Sequence, residues 1–193
     1  MALQEQEKVY TADDLWELSQ SPEYADMRLE LDDGELIVMS PSGGLHGGDA
    51  GLFHIFVGSH VVQHDLGYTT IAEAAYILFK NPNGKDIVYS PDVGFIRGER
   101  LPEGLPPKFI PFAPDLAVEV VSPTDTADEI QRKVENYMRY GTLLLWVAYS
   151  KSKSVAVHTP QGSTIVDIDG TLDGGDVLPG LKLAVKDVFG KKR

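Results

Sequence analysis

The chain has no cysteine, which excludes disulfides and every zinc, redox or nucleophilic site built on a thiolate. No apolar run approaches the ~18 residues that a membrane span requires. The N-terminal Met1-Ala2-Leu3-Gln4-Glu5-Gln6-Glu7 lacks the basic and apolar regions of a signal peptide. A cytoplasmic protein with no membrane partner is the expectation. Basic side chains are also scarce, 17 Lys and Arg against 29 Asp and Glu, for a net charge of -12. The deficit is uneven: residues 1–50 carry 12 acidic and 2 basic side chains, the remainder 17 and 15. This balance argues against loose, sequence-independent nucleic-acid binding, which depends on neutralising phosphates. It leaves room for a local basic groove in the nearly neutral remainder. Internal repeats and low-complexity segments are absent too.

What is present suits one globular domain over residues 1–193, long enough to bury roughly 70% of its unfolded surface. Residues 1–10 read as a frayed lead. Thr11-Ala12-Asp13-Asp14 reads as an N-cap with acids in the first turn, opening a helix to about Gln20. Two strands are expected from Met27 to Met39 around the hairpin signal Asp32-Asp33-Gly34. Leu52, Phe53, Phe56, Val57 and Val61 recur at helical spacing, predicting a helix from Leu45 to Leu66 stopped by Gly67. Thr69 to Lys80 reads as one strand, and Ile87 to Ile96 as another interrupted near Pro91. Residues 97–114 form a loop with five prolines, long enough to suggest a function. Leu116–Val121 is a strand, a helix starts at Asp125 or Thr126 and runs to Tyr140 with Gly141 as its stop, and Leu143–Tyr149 is a core strand. Short antiparallel strands are expected at 155–158, 164–168 and 181–185. The predicted fold is α/β (α+β): a core at about residues 45–149, a central mixed β-sheet flanked by helices, and N- and C-terminal antiparallel hairpins extending it.

One carboxylate interrupts the apolar strand Leu116-Ala117-Val118-Glu119-Val120-Val121. Burying it without a partner costs several kcal/mol, about enough to demand a metal ion or a cation nearby. Strand alternation sets Glu119 on the face opposite Leu116, Val118 and Val120. In the following helix, Lys133 lies about 60° from Ile130 of the apolar stripe, while Arg132 and Arg139 lie on the far side. Only Lys133 is expected to turn inward. Asp92, in Ser90-Pro91-Asp92-Val93, supplies a second carboxylate. Two acids and a lysine on consecutive core elements fit a phosphodiesterase site for a hard divalent cation, Mg²⁺ or Mn²⁺.

These residues also resemble a known family. The segments are Glu30-Leu31-Asp32-Asp33-Gly34-Glu35, Ser40-Pro41 with His46, Pro91-Asp92-Val93, Pro114-Asp115-Leu116-Ala117-Val118-Glu119-Val120-Val121-Ser122-Pro123, Lys133 with Tyr137, and Leu178-Pro179-Gly180-Leu181. Together, over roughly Tyr10 to Phe189, they are similar to the Uma-type family, a bacterial restriction-endonuclease group of the PD-(D/E)XK nuclease superfamily. The resemblance implies a restriction-endonuclease-like core, a DNA substrate and a homodimer. It also implies that Asp92 and Glu119 are metal ligands, with the Val120 carbonyl as a third. The superfamily pattern sets a lysine two residues after the glutamate, where this chain has Val121; Lys133 would then be the substitute. Glu30, Glu35 and His46 would be supporting groups.

Plainer readings stand beside these. Glu119 could meet backbone N–H groups or a buried arginine, Asp92 could start a turn, and Lys133 could lay its stem along the helix stripe. His60 and His64 lack a third ligand in sequence and read as a solvated face. Tyr137 and Tyr140 read as core or rim aromatics, and Lys191-Lys192-Arg193 as a solvated tail. Three functions follow: a Mg²⁺-dependent deoxyribonuclease; a binding module for nucleic acid or protein that has lost catalysis, favoured by Val121 and the acidic balance; and a metal-dependent hydrolase of a smaller phosphoester.

Overall fold

The structure, a computed structural model, describes residues 8–190. Most of the expected N-terminal lead and the basic tail 191–193 lie outside the described residues. Tyr10 is tied down, its N–H donating to the Gly34 carbonyl at 2.9 Å.

Helix α1 (Ala12–Ser19) starts at Thr11, whose hydroxyl and Asp14 form a reciprocal capping box. Strands β1 (Arg28–Asp32) and β2 (Glu35–Met39) close a tight hairpin. Asp33 and Gly34 both take positive φ there, 51° and 82°, as the two-residue turn requires. Helix α2 (Gly44–His64) ends with Asp65 in the left-handed conformation. Gly67 is therefore not the helix stop; it opens β3 (Gly67–Ile71), where a Cβ would meet the Ile96 carbonyl at 2.1 Å. Then follow β4 (Tyr76–Phe79), β5 (Ile87–Tyr89), β6 (Val93–Arg97), β7 (Leu116–Val120), α3 (Ala127–Arg139) and β8 (Leu144–Tyr149). The chain ends in β9 (Ser154–Thr159), β10 (Gly162–Val166), β11 (Thr171–Asp173), β12 (Lys182–Ala184) and α4 (Val185–Phe189).

The central mixed sheet has the order β10-β9-β8-β7-β6-β3, antiparallel except for the parallel pair β7–β8, which α3 connects. The expected mixed sheet with flanking helices and terminal hairpins is thus found. Its extension differs. The β9–β10 hairpin continues the central sheet, whereas β1–β2 belongs to a second sheet, β2-β1-β5-β4. Each apolar run read as one strand splits between sheets: β3 and β6 lie in the central sheet, β4 and β5 in the second. Pro91 makes one of these breaks, because proline cannot donate to a ladder.

Leu116, Val118 and Val120 point to α2, where Phe53, Val57 and Val61 complete a fully apolar core with Trp146. The last segment packs into the same core through Leu172, Leu183 and Phe189. These three C-terminal apolar residues are buried within the chain. The opposite face of β7 and β8 carries α3, through Val134 and Tyr137, beneath the second sheet. Among the described residues no helix is long and apolar enough to cross a membrane.

Candidate active site

Strand β1 alternates Arg28-Leu29-Glu30-Leu31-Asp32. Its leucines enter a small core with Leu15 and Val88, so its charged face must meet another element. That element is α3. Glu30 Oε2 lies 2.8 Å from the Lys133 ammonium, and Asp32 Oδ2 lies 3.0 Å from Arg132. Arg132, read from sequence as pointing away, therefore also pairs with a buried carboxylate. Helical periodicity finds the face opposite the apolar stripe but not the second sheet that covers part of it. Asn136 and the Tyr89 hydroxyl both donate to Asp32 Oδ1, at 3.1 and 2.9 Å.

Lys133 stands between two carboxylates, 3.5 Å from Glu119 Oε1 as well as 2.8 Å from Glu30. The Tyr137 hydroxyl, one helical turn on, donates to the same Glu119 oxygen at 2.7 Å. Tyr137 is fully buried, so it is a core aromatic with its one polar atom aimed at Glu119. Glu119 keeps 13% of its side-chain surface exposed, and its surroundings pull both ways. Burial is the largest influence and raises its pKa; Lys133 lowers it, while Glu30 and Asp92 raise it, to a result of about 7. Lys133 stays firmly protonated: burial opposes its charge, but Glu119 and Glu30 outweigh that cost.

Asp92 follows Pro91 at the start of β6, which runs beside β7. Its Oδ2 accepts the Val120 N–H at 2.8 Å, setting it against the backbone of the residue after Glu119. The same oxygen is 3.3 Å from His46 Nε2, and Oδ1 accepts from Arg28 at 3.2 Å. Burial works against the Asp92 charge, yet His46, the Val120 N–H and Arg28 hold its pKa below the ordinary carboxylate value. The hydrogen bond to Asp92 raises the His46 pKa. Arg28 also donates to the Ser90 carbonyl at 2.7 Å and lies 3.9 Å from Glu30.

The structure thus brings Asp92, Glu119, Lys133, Val120, Glu30 and His46 together around a cleft of about 460 Å³ lined by all but Glu30. Glu35 does not join them. It lies opposite Asp32 near the hairpin turn and is exposed. Arg28 was not foreseen, although the charge on every second residue of β1 signals a polar buried face. His60 meets the Pro179 carbonyl at 3.0 Å, and its ring packs on His64.

The donor set, the carboxylates of Asp92 and Glu119 with the backbone carbonyl of Val120 next to Glu119, suits a hard divalent cation. Both Asp92 oxygens are already engaged, so an ion there must exchange with His46 or Arg28. Among the described residues no three His, Asp or Glu side chains are arranged to hold a metal.

Comparison with known proteins places this geometry. No curated protein matches the chain. A solved structure described as a "putative nuclease belonging to DUF820 from Anabaena variabilis ATCC 29413" superposes with a TM-score of 0.78 at 20% identity. The match covers 93% of this chain and 97% of that one, and it establishes a shared fold. The Uma2 family, described as "Putative restriction endonuclease", matches residues 15–186. With nearly its whole length inside that match, this chain belongs to the Uma2 restriction-endonuclease family, and the membership supports a nuclease.

Proposed function

We propose that the chain is a divalent-metal-dependent endonuclease that hydrolyses DNA phosphodiesters, with Mg²⁺ or Mn²⁺ held by Asp92, Glu119 and the Val120 carbonyl. One observation carries the reading: Lys133 from α3 reaches Glu119 in the cleft that Asp92 also lines. It compensates for Val121, which stands where the superfamily pattern has its lysine and can neither orient water nor carry charge.

When bound, such an ion supplies a lowered pKa for a water and offsets charge on a phosphodiester oxygen. The chain's own residues do the rest. Tyr137 fixes the Glu119 carboxylate by donating to Oε1. Glu30 holds the Lys133 stem end in place, so that the ammonium can orient the attacking water or offset charge building on phosphate. The Val120 N–H fixes Asp92. His46 and Arg28 neutralise Asp92, and one of them would give way where Asp92 held an ion, His46 serving as a supporting group at the cleft wall. A two-fold homodimer would present two such sites to DNA.

Mn²⁺ titrated calorimetrically should bind wild type and lose at least tenfold in affinity in Asp92→Ala and Glu119→Ala, roughly the cost of losing one ligand. Lys133→Ala should keep Mn²⁺ binding and lose DNA cleavage by about 10²-fold or more. Equal cleavage by wild type and Glu119→Ala sinks the proposal. A second reading, a binding module without catalysis, draws on the internal neutralisation of Asp92 by Arg28 and His46. It predicts DNA retention with neither Mn²⁺ binding nor cleavage.

A further inference from the structure

Beside the cleft lies a smaller cavity of about 240 Å³ between β2 and α3. The two share Met39, Glu119, Val120, Thr124, Asp125 and Lys133, so the cavity opens directly off the candidate catalytic groups. Its walls are apolar: Ile37 and Met39 of β2 face Ile130 and Val134 of α3, with Leu145 and Val147 behind. Four of its polar side chains are carboxylates. Glu30 and Glu119 stand at the inner end, and Asp125 and Glu129 at the exposed mouth. Among the described residues Lys133 is the one cation in this lining, and it is already shared between Glu30 and Glu119.

This lining decides which part of a nucleotide can enter. A phosphate meets four carboxylates against one committed ammonium, and like charges repel it. A ribose offers hydroxyls but little surface to fill slots walled by aliphatic side chains. A nucleobase is uncharged and flat, buries its π-faces against aliphatic walls, and presents exocyclic amino groups to carboxylate oxygens. The cavity is also too small for a helix or a duplex end, and a base inside a duplex cannot reach it without leaving the stack. The scarcity of cations fits the same picture. Around the adjoining grooves Asp26, Glu73, Asp92, Glu119 and Asp125 accompany Arg28, His46, His54 and Lys133, so among the described residues these grooves form no basic track for a duplex backbone.

Resting on the nuclease reading above, we propose that the cavity between β2 and α3 is a nucleobase pocket. It receives an unpaired base next to the scissile phosphate, so the substrates are single-stranded segments, overhangs or mismatched sites, with amino-bearing bases preferred. Affinity for the strand comes from one inserted base together with the ion, in place of many phosphate contacts.

The test uses the full chain with Mn²⁺ and short oligonucleotides. Five probes are titrated under one buffer: a single strand, the matching duplex, a single strand of cytosines and adenines against one of thymines, and a strand of the same length made abasic. Wild type should bind the single strand about tenfold more tightly than the duplex or the abasic strand, the low end of what base packing contributes. It should prefer the cytosine and adenine strand to the thymine strand. Ile130→Trp fills the cavity from α3 and should erase these differences while Mn²⁺ binding by calorimetry is kept. Ile37→Trp fills it from β2 and serves if Ile130→Trp does not fold. Salt dependence should be shallow, with a slope of about one or two phosphates rather than six or more. If Mn²⁺ binds but all probes bind wild type alike, or a filling variant that folds keeps the preferences, the pocket is overturned and the nuclease reading stands. If wild type binds no Mn²⁺, the nuclease reading falls and takes this inference with it.

Discussion

Two carboxylates flank the same strand, Asp115 just before β7 and Glu119 near its end, and they lead opposite lives. Asp115 has a complete set of partners. Its Oδ2 is 2.9 Å from Arg100 and accepts the Arg97 N–H at 2.9 Å, while its backbone carbonyl accepts from Leu143 and Leu144. One charge meets one charge, and the group closes the corner between β6, β7 and β8. Glu119 instead shares Lys133 with Glu30 and lies in an open cleft with Asp92 and Arg28 nearby. Its pKa is pushed up to about 7, mainly by burial. A satisfied carboxylate near a sheet end is architecture; an under-neutralised one beside a cavity is a group waiting for another cation or a proton.

The sharpest way to break this contrast is to remove each carboxylate in turn. Asp115→Ala leaves Arg100 without its partner and the Arg97 N–H without an acceptor. The expected cost is about 3 kcal/mol, since Arg100 is partly exposed and its charge is partly solvated. Glu119→Gln should do the reverse. Without metal at pH 8 it removes a carboxylate that is held ionised against burial, and stability should rise by about 1–2 kcal/mol. Urea unfolding of both variants measures the pair. If Glu119→Gln destabilises as much as Asp115→Ala, the Glu119 end is structural too.

A smaller effect follows from pH. The unfolded Glu119 releases its proton near 4.5, whereas the folded one keeps it to about 7. Between those values the native state binds more protons, so this group's contribution to stability falls as pH rises from about 4.5 through about 7. Asp92 has the opposite sign: its pKa is lowered, so its contribution is present above 3.8 and is lost as pH falls below that value. The windows separate, and the difference in unfolding free energy between wild type and Glu119→Gln isolates the first. That difference should grow through pH 5–7 by about 2 kcal/mol and then level off. Mn²⁺ affinity should climb by up to about tenfold per pH unit over the same window, because the ligand must lose its proton. A flat difference across pH 5–7 means that Glu119 is neutralised as fully as Asp115.

The contrast also explains what could be read in the sequence. Glu119 stood out because one acid in an apolar strand conflicts with its neighbours, and such local conflicts mark sites. The turn at Asp33-Gly34 and the cap at Thr11 follow from local backbone chemistry and were legible, whereas the start of α3 was narrowed only to Asp125 or Thr126. The separation into two sheets was not. Periodicity cannot say whether Thr69 to Lys80 breaks at Glu73-Ala74, nor which sheet each piece joins. Arg28, Arg132 and the placement of Glu35 were lost for the same reason. Each depends on which elements β1–β2 is packed against, a non-local pairing whose one local sign is the alternating charge of β1. Asp115 was quoted only as part of a motif, and its partners Arg97 and Arg100 lie in the strand end and loop that sequence patterns describe least.

The mildest perturbation is at the start of α3, which carries both Lys133 and Tyr137 to Glu119. Thr126 caps this helix, accepting the Glu129 N–H while Glu129 returns a bond to the Thr126 N–H at 2.7 Å. Thr126→Ala should cost about 1 kcal/mol, typical of a lost N-cap. Amide exchange locates the loss. The Glu129 N–H should exchange faster, while the Arg97 N–H, held by Asp115, should keep its wild-type rate under conditions where local opening dominates. The cost would then be confined to the element that serves the cleft, leaving the closed corner untouched. If the Arg97 amide accelerates as much as that of Glu129, α3 and the Asp115 corner open as one cooperative unit. The two ends of β7 would then differ in charge but not in mechanical independence.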